Sequence, residues 1–335
     1  MSGTEDRMRV ILGCMTFGRE GGGARVRTNE EASEIISTFR QYGHNALDTA
    51  RIYADGHTEE MMGQLDLSGL TVDTKCFPLQ LGGLEPQRVK KSLYESLEAL
   101  RADKVHVFYL HAPDYATPIE DTLKAVNELY LEGKFEIFGL SNYPAWVVTQ
   151  IYYICKNEGY VLPRVYQGMY NALTRSIEPE LFACLDELNI KFHAYNPLCG
   201  GVLAGLYTYD QNEVEKGSRF DPDAKQGIRY RERYWKKEYF EAIEVLKRVC
   251  EPHGLSLIQV AFDWLQFNSK MRVPRGDGII IGASSLKHTV QNLDALKYGK
   301  PLPQDVLEAV DHCWDITRES SPPYFRTKDQ MMGPR

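Results

Sequence analysis

Short apolar runs and helical patterns alternate about eight times along this chain, and few folds accept such a rhythm. The runs are MRVILG (8–13), NALDT (45–49), TVDTKCF (71–77), VHVFYLHA (105–112), FEIFGLSN (135–142), RVYQGMYN (164–171), IKFHAYNP (190–197) and GIIIGAS (278–284). Apolar residues dominate them instead of alternating strictly with polar ones, as in parallel strands covered by helices. Between the runs, segments such as 30–42 place Ala32, Ile35, Ile36 and Phe39 at spacings of three and four, one face of a helix. The same periodicity predicts helices near 86–101, 119–131, 144–159, 178–188, 236–252, 255–268, 286–296 and 304–318. Pro144 and Gly159 bracket one of them in the usual order, proline at the start and glycine past the end.

Two architectures accept this rhythm, an open doubly wound sheet and a closed eight-stranded barrel. The glycine-rich turn after the first run, GREGGG, lacks the GxGxxG spacing of a dinucleotide-binding turn, and no twofold internal repeat is apparent. The barrel fits better: an α/β fold of the (β/α)8 TIM type, expected to occupy 1–335 as one domain. One connection breaks the rhythm. Residues 198–235 are rich in Gly, Tyr and Arg and too long for a joint, so they are expected to form a lid or binding loop. A final helix and a polar, proline-bearing tail fill 304–335.

Composition bounds the partners. A formal charge of −7 argues against a nucleic-acid binder, while leaving room for a local basic pocket. No run approaches the length of a membrane span, and MSGTEDRMR lacks the apolar centre of a signal peptide, so a cytoplasmic protein is expected. Seven cysteines, scattered and without a CxxC pair, suit reduced core thiols better than disulfides. No cluster has metal-ligand spacing, and no metal is expected.

In such a barrel the functional face lies at the C-terminal strand ends. Those ends carry Asp48 with Tyr53 nearby, Lys75, His111, Ser141–Asn142, Gln167, Tyr195–Asn196 and Ala283–Ser284–Ser285. Any one of these groups alone reads as a solvated or satisfied structural residue. Tyr, Lys, Asp and His at successive strand ends make a coherent acid catalyst. A free phenol holds its proton with a pKa of about 10, and a nearby ammonium should lower it. Asp48 would hold Lys75 through an ion pair, and His111 would orient a carbonyl by a hydrogen bond. The set lacks a nucleophile or redox group, so a nicotinamide cofactor must supply hydride.

These residues, in the contexts LDTARIY, DTK and FYLHAPD, resemble the catalytic tetrad of the aldo-keto reductases. The resemblance extends through EGKFEIFGLSNY (132–143), VYQGMYNALTR (165–175), AYNPLCGGVLAG (194–205), RYWKKEYFEAI (233–243), IGASSL (281–286) and PPYFR (322–326). The later motifs resemble the aflatoxin-aldehyde-reductase-like subfamily, often described as family seven. The resemblance implies NADPH-dependent reduction of aldehydes and ketones, with semialdehydes, dialdehydes and α-dicarbonyls favoured. It makes Tyr53 the proton donor, tuned by Lys75 and Asp48, and gives the carbonyl to His111. Ser141, Asn142 and Gln167 would bind the nicotinamide carboxamide and Tyr195 would stack on its ring. The segment 196–206, with Asn196, Pro197, Leu198, Gly200, Gly201 and Gly205, would wrap the pyrophosphate. Gly282, Ser284 and Ser285 would hold the 2′-phosphate with Arg219 and Arg233, while Gln291 and Asn292 reach the adenine. Arg326 would meet a substrate carboxylate, with Tyr230 opposite. A homodimer is suggested by the resemblance alone.

Bland readings stand beside these. Ser284 or Ser285 is also where a helix N-cap belongs, RYRERYW (229–235) also suits packing of the loop, and His193 reads as structural. The chain runs on for TKDQMMGPR past Arg326, which bears on that residue's role. Two other functions remain open: a biosynthetic reductase dedicated to one metabolite, and a slow NADPH-binding regulatory subunit like the potassium-channel β subunits.

Overall fold

The computed structural model describes residues 7–211 and 213–332, so the first six residues, Asn212 and the last three of the tail lie outside it. Among the described residues, eight parallel strands close a barrel in chain order: β1 (Arg9–Gly13), β2 (Ala46–Asp48), β3 (Thr71–Cys76), β4 (Val105–Leu110), β5 (Phe135–Ser141), β6 (Pro163–Met169), β7 (Lys191–Tyr195) and β8 (Gly278–Gly282). β8 pairs back onto β1, with Ile280 opposite Ile11, which leaves the sheet without an edge. This is the (β/α)8 barrel that the eightfold rhythm predicts.

The helices fall between and after the strands: α1 (Asn29–Gln41), α2 (His57–Met62), α3 (Pro86–Leu100), α4 (Ile119–Leu131), α5 (Ala145–Glu158), α6 (Leu181–Glu187), α7 (Lys225–Tyr234), α8 (Lys237–Cys250), α9 (Leu257–Asp263), α10 (Leu286–Lys297), α11 (Gln304–Thr317) and α12 (Lys328–Met332). Local chemistry sets their ends. Thr28 and Glu31 form a capping box at α1, and Gly159 closes α5 in a left-handed conformation. No helix among the described residues is long and apolar enough to cross a membrane.

Strand parity divides the protein in two. One parity sends Leu12, Leu47, Phe108, Leu140, Phe192 and Ile281 outward into the large apolar layer beneath the helices. The other sends Ile11, Ala46, Ile280, Val107 and Val165 inward, together with the buried polar residues Asp48, Asp73, Lys75, Gln167 and His193. All seven cysteines are unpaired, and every one except Cys184 is buried.

The expected elements shift in a few places. The predicted 178–188 helix contracts to α6, and 255–268 divides into α9 and a π-helical turn, Trp264–Asn268. The connection 198–235 is not irregular throughout: it holds a 3-10 turn (Cys199–Ala204) and α7. α7 has no aliphatic stripe to announce it. Its buried face is Gly227, Tyr230 and Tyr234, and a Cβ at Gly227 would sit 1.8 Å from the Asp221 carbonyl oxygen. The polar tail likewise holds the short α12.

Candidate active site

The centre of the site is a buried ion pair at the C-terminal ends of β2 and β3. Lys75 Nζ donates to Asp48 Oδ2 at 2.6 Å and to the Thr49 carbonyl at 2.6 Å. From β6, Gln167 Nε2 donates to the other carboxylate oxygen, Asp48 Oδ1, at 2.8 Å. Removing two charges from water is unfavourable, and here paired hydrogen bonds on both carboxylate oxygens offset it. Tyr53 opens the 3-10 turn that follows β2, and its ring centroid lies 5.1 Å from Lys75 Nζ. His111, one residue past β4, meets the Tyr53 ring edge-on at 5.9 Å between centroids and the Phe77 ring at 5.3 Å. The four expected residues therefore converge.

Their electrostatics differ from expectation in one respect. The Tyr53 phenol lies well above its usual range, through burial first and then the charge of Asp48, with Tyr230 and Tyr195 adding to it. The Arg219 charge pulls the other way, while the Lys75 ammonium expected to do so is paired with Asp48 at 2.6 Å, which leaves a pair without net charge. The phenol is thereby held in its protonated form. The His111 imidazole falls well below its usual range, through burial and then Lys75 and Arg326. It is neutral near pH 7, and its buried Nδ1 has no hydrogen-bond partner.

A second network borders the first. Asn142, in a left-handed conformation just past β5, donates from Nδ2 to the His111 carbonyl at 2.8 Å and to Ser141 Oγ at 2.9 Å. Tyr195 donates its hydroxyl to Asn142 Oδ1 at 2.7 Å. Past β7, Asn196 Oδ1 accepts from Tyr230 at 3.1 Å, and Asn196 Nδ2 donates to Tyr234 at 3.1 Å. Arg219 donates to the Tyr230 hydroxyl at 2.7 Å, and the Arg219 and Arg233 guanidiniums lie 5.0 Å and 5.6 Å from the Tyr230 ring. Tyr230 is thus buried with its hydroxyl engaged, so it packs the long loop.

At the end of β8, Ser285 caps α10 by accepting from the His288 amide at 3.2 Å, while Ser284 Oγ lies 2.8 Å from His288 Nδ1. Asn292 is buried and donates to the Gly282 carbonyl at 3.1 Å. Its neighbour Gln291 is exposed and faces a groove between α9 and α10, beside Gln259 and Tyr298. Arg326 is half-buried, with its amide bonded to the Asn142 carbonyl at 3.0 Å and its carbonyl accepting from Tyr115 at 2.6 Å. Among the described residues, Arg219, Arg233 and Arg326 form no ion pair; the Arg233 and Arg229 charges press on Arg326, and Glu232 pulls the other way. A rim that gathers three guanidiniums, none of them in an ion pair, suits an anion.

This architecture and this site have counterparts. A sequence profile described as the Aldo/keto reductase family matches residues 9–315. The chain belongs to the aldo/keto reductase family. It is 41% identical to an aldo-keto reductase of Pseudocercospora fijiensis, over 87% of this chain and 100% of the relative. Against aflatoxin B1 aldehyde reductase member 2 of Rattus norvegicus, identity is 41% over 97% of this chain and 90% of the relative. Aldo-keto reductase family 7 member A3 of Homo sapiens is 39% identical, over 96% and 98%. This aldo/keto reductase is therefore an oxidoreductase, and carbonyl reduction with a nicotinamide cofactor is the chemistry of its family.

The residues of this reductase fit such a cofactor. Gly200 and Gly201 take φ of 69° and 114°, and a Cβ on Gly201 would meet only Tyr207, at 3.9 Å, so its outer face is open for a close approach to the main chain. Gly282 is exposed, with only the Arg219 guanidinium 3.8 Å from a Cβ placed there. Asn171, last of the run RVYQGMYN, reads in the sequence as no more than a turn residue. It donates to the Asn196 carbonyl at 2.9 Å and accepts from the Leu173 amide and the Cys199 thiol, so it holds the start of the loop. Its place at a strand exit was its one signal.

Proposed function

We propose that this reductase converts aldehydes and ketones to alcohols with NADPH, with Tyr53 as proton donor. The observation that carries the reading is the charge-balanced Asp48–Lys75 pair beneath a protonated phenol and a neutral imidazole. An acid catalyst must hold its proton until charge develops on the substrate oxygen, and a neutral imidazole donates a hydrogen bond without adding charge. The nicotinamide supplies the hydride when bound. Ser141, Asn142 and Gln167 bind its carboxamide, Tyr195 faces its ring, and 196–206 wraps the pyrophosphate. Ser284, Ser285, Arg219 and Arg233 receive the 2′-phosphate, with Gln291 and Asn292 towards the adenosine; the unpaired guanidiniums favour NADPH over NADH. Arg326, anchored beside His111, favours carbonyl substrates that carry a carboxylate or a second carbonyl. A cytosolic, single-domain homodimer is part of the same reading, in which the homodimer rests on family resemblance alone.

The test is NADPH consumption with a panel of semialdehydes, α-dicarbonyls and neutral aldehydes. Tyr53→Phe should abolish turnover and leave NADPH binding intact; an equal loss of both contradicts the role of Tyr53. Arg326→Leu should raise KM at least about tenfold for carboxylate-bearing aldehydes and little for neutral ones. Absence of turnover on the whole panel overturns the reading.

A further inference from the structure

One tier deeper in the barrel lies an acid that this chemistry does not use. Asp73 stands two residues before Lys75 on β3, so both side chains point inward. It is in register with Asp48 on β2, is 1% exposed, and its Oδ1 has no hydrogen-bond partner. The groups facing it are Arg9 of β1, Asp48 of β2, Lys75 of its own strand and Tyr109 of β4. Tyr109 extends the contact: its ring centroid is 5.7 Å from Lys75 Nζ, and its hydroxyl is 3.2 Å from Nδ1 of His193 on β7.

A charged Asp73 would be a second carboxylate beside Asp48, whose ammonium partner is already engaged at 2.6 Å. A buried carboxyl with one oxygen left without a partner takes a proton instead. We propose that Asp73 is a positioning residue acting through the Asp48–Lys75 pair. As a neutral acid it leaves the pair undisturbed; once ionised it adds a second carboxylate charge beside Asp48, which competes for the Lys75 ammonium, tightens Tyr53's hold on its proton and shuts reduction down at alkaline pH. The proposal rests on the reading of Tyr53 as the acid. Burial first, and then Asp48, push the Asp73 carboxyl up to about 8, with Arg9 and Lys75 pulling the other way. The switch therefore falls just above neutrality.

The experiment compares the wild-type protein with Asp73→Asn, whose carboxamide copies the neutral acid, and with Asp73→Ser as a second uncharged variant. With an acid that titrates at about 8, the ratio of variant to wild-type kcat should rise about tenfold between pH 7 and pH 9. The same alkaline limb in all three proteins would overturn the proposal. Urea midpoints provide a readout independent of turnover. An acid raised in the folded state contributes stability that is full below its unfolded pKa, about 3.9, and is lost as pH rises towards 8. The midpoint gap between Asp73→Asn and wild type should therefore widen from pH 4 to pH 8 and then level. A gap independent of pH shows that Asp73 does not titrate and ends the proposal, whatever the turnover. A widening gap in a protein that turns over no carbonyl upholds the titration and refutes the catalytic reading on which its role depends.

Discussion

The buried pair at the centre of the site lends itself to a double-mutant cycle. Lys75 is 0% exposed and Asp48 3% exposed, joined at 2.6 Å. Asp48→Asn leaves the ammonium with the Thr49 carbonyl and an amide, while Lys75→Met leaves the carboxylate with only the Gln167 amide. Each single change strands a buried charge and should cost about 3–5 kcal/mol. For a chain of this length that is roughly 6–10 °C in Tm, at about 2 °C per kcal/mol. The double variant buries no net charge, so its loss should fall short of the summed single losses by about 3 kcal/mol, the upper range for residues in contact. Urea and thermal unfolding followed by far-UV circular dichroism, without cofactor, measure all four corners. Additive losses, or single losses below about 1 kcal/mol as for exposed pairs, would refute the claim that the pair is desolvated and mutually dependent.

Three further outcomes test other parts of the site. Gly200→Ala places a Cβ 2.5 Å from the Tyr230 ring at a φ of 69°, so it should disturb the loop and weaken NADPH binding about tenfold; an unchanged Kd in a fluorescence titration contradicts the assigned loop role. Arg233→Ala should weaken NADPH far more than NADH, and an unchanged preference between the two removes Arg233 from the 2′-phosphate site. His193 is buried, and burial followed by the Arg9 and Lys191 charges lowers it to about 3. Its stability contribution is full above its unfolded pKa of about 6.5 and is lost as pH falls towards 3, on the order of 2 kcal/mol by pH 5. His193→Gln should flatten that acid limb of the unfolding midpoint, and an identical limb would show that other groups produce it.

The barrel was readable because its signal is local. Apolar runs of strand length separated by helical periodicities survive in one dimension, and α4 falls on the expected 119–131. The convergence of Asp48, Lys75 and His111 was readable for the same reason: each sits at or just past a strand end, and one barrel rim gathers all the strand ends, with Tyr53 brought in by the turn after β2. α7 was not readable, because Gly227, Tyr230 and Tyr234 acquire a buried face only against the folded loop. Gln291 and Asn292 are adjacent in sequence, yet one is exposed and the other buried against Gly282. Only the position of α10 against the barrel separates them.

The sequence by itself determined the order of elements, the closed barrel and which residue types stand at its C-terminal rim, since these follow from periodicity and position along the chain. Tertiary structure decided what those residues experience. Tyr53 was expected to be an activated phenol beside an ammonium; in the fold Asp48 balances that ammonium, and burial keeps the phenol protonated. Asp73 was an unremarked letter in TVDTKCF, and it became a buried acid only when β2 brought Asp48 into register with it. Burial and charge balance depend on neighbours from other strands, and those distances exist only after the barrel closes.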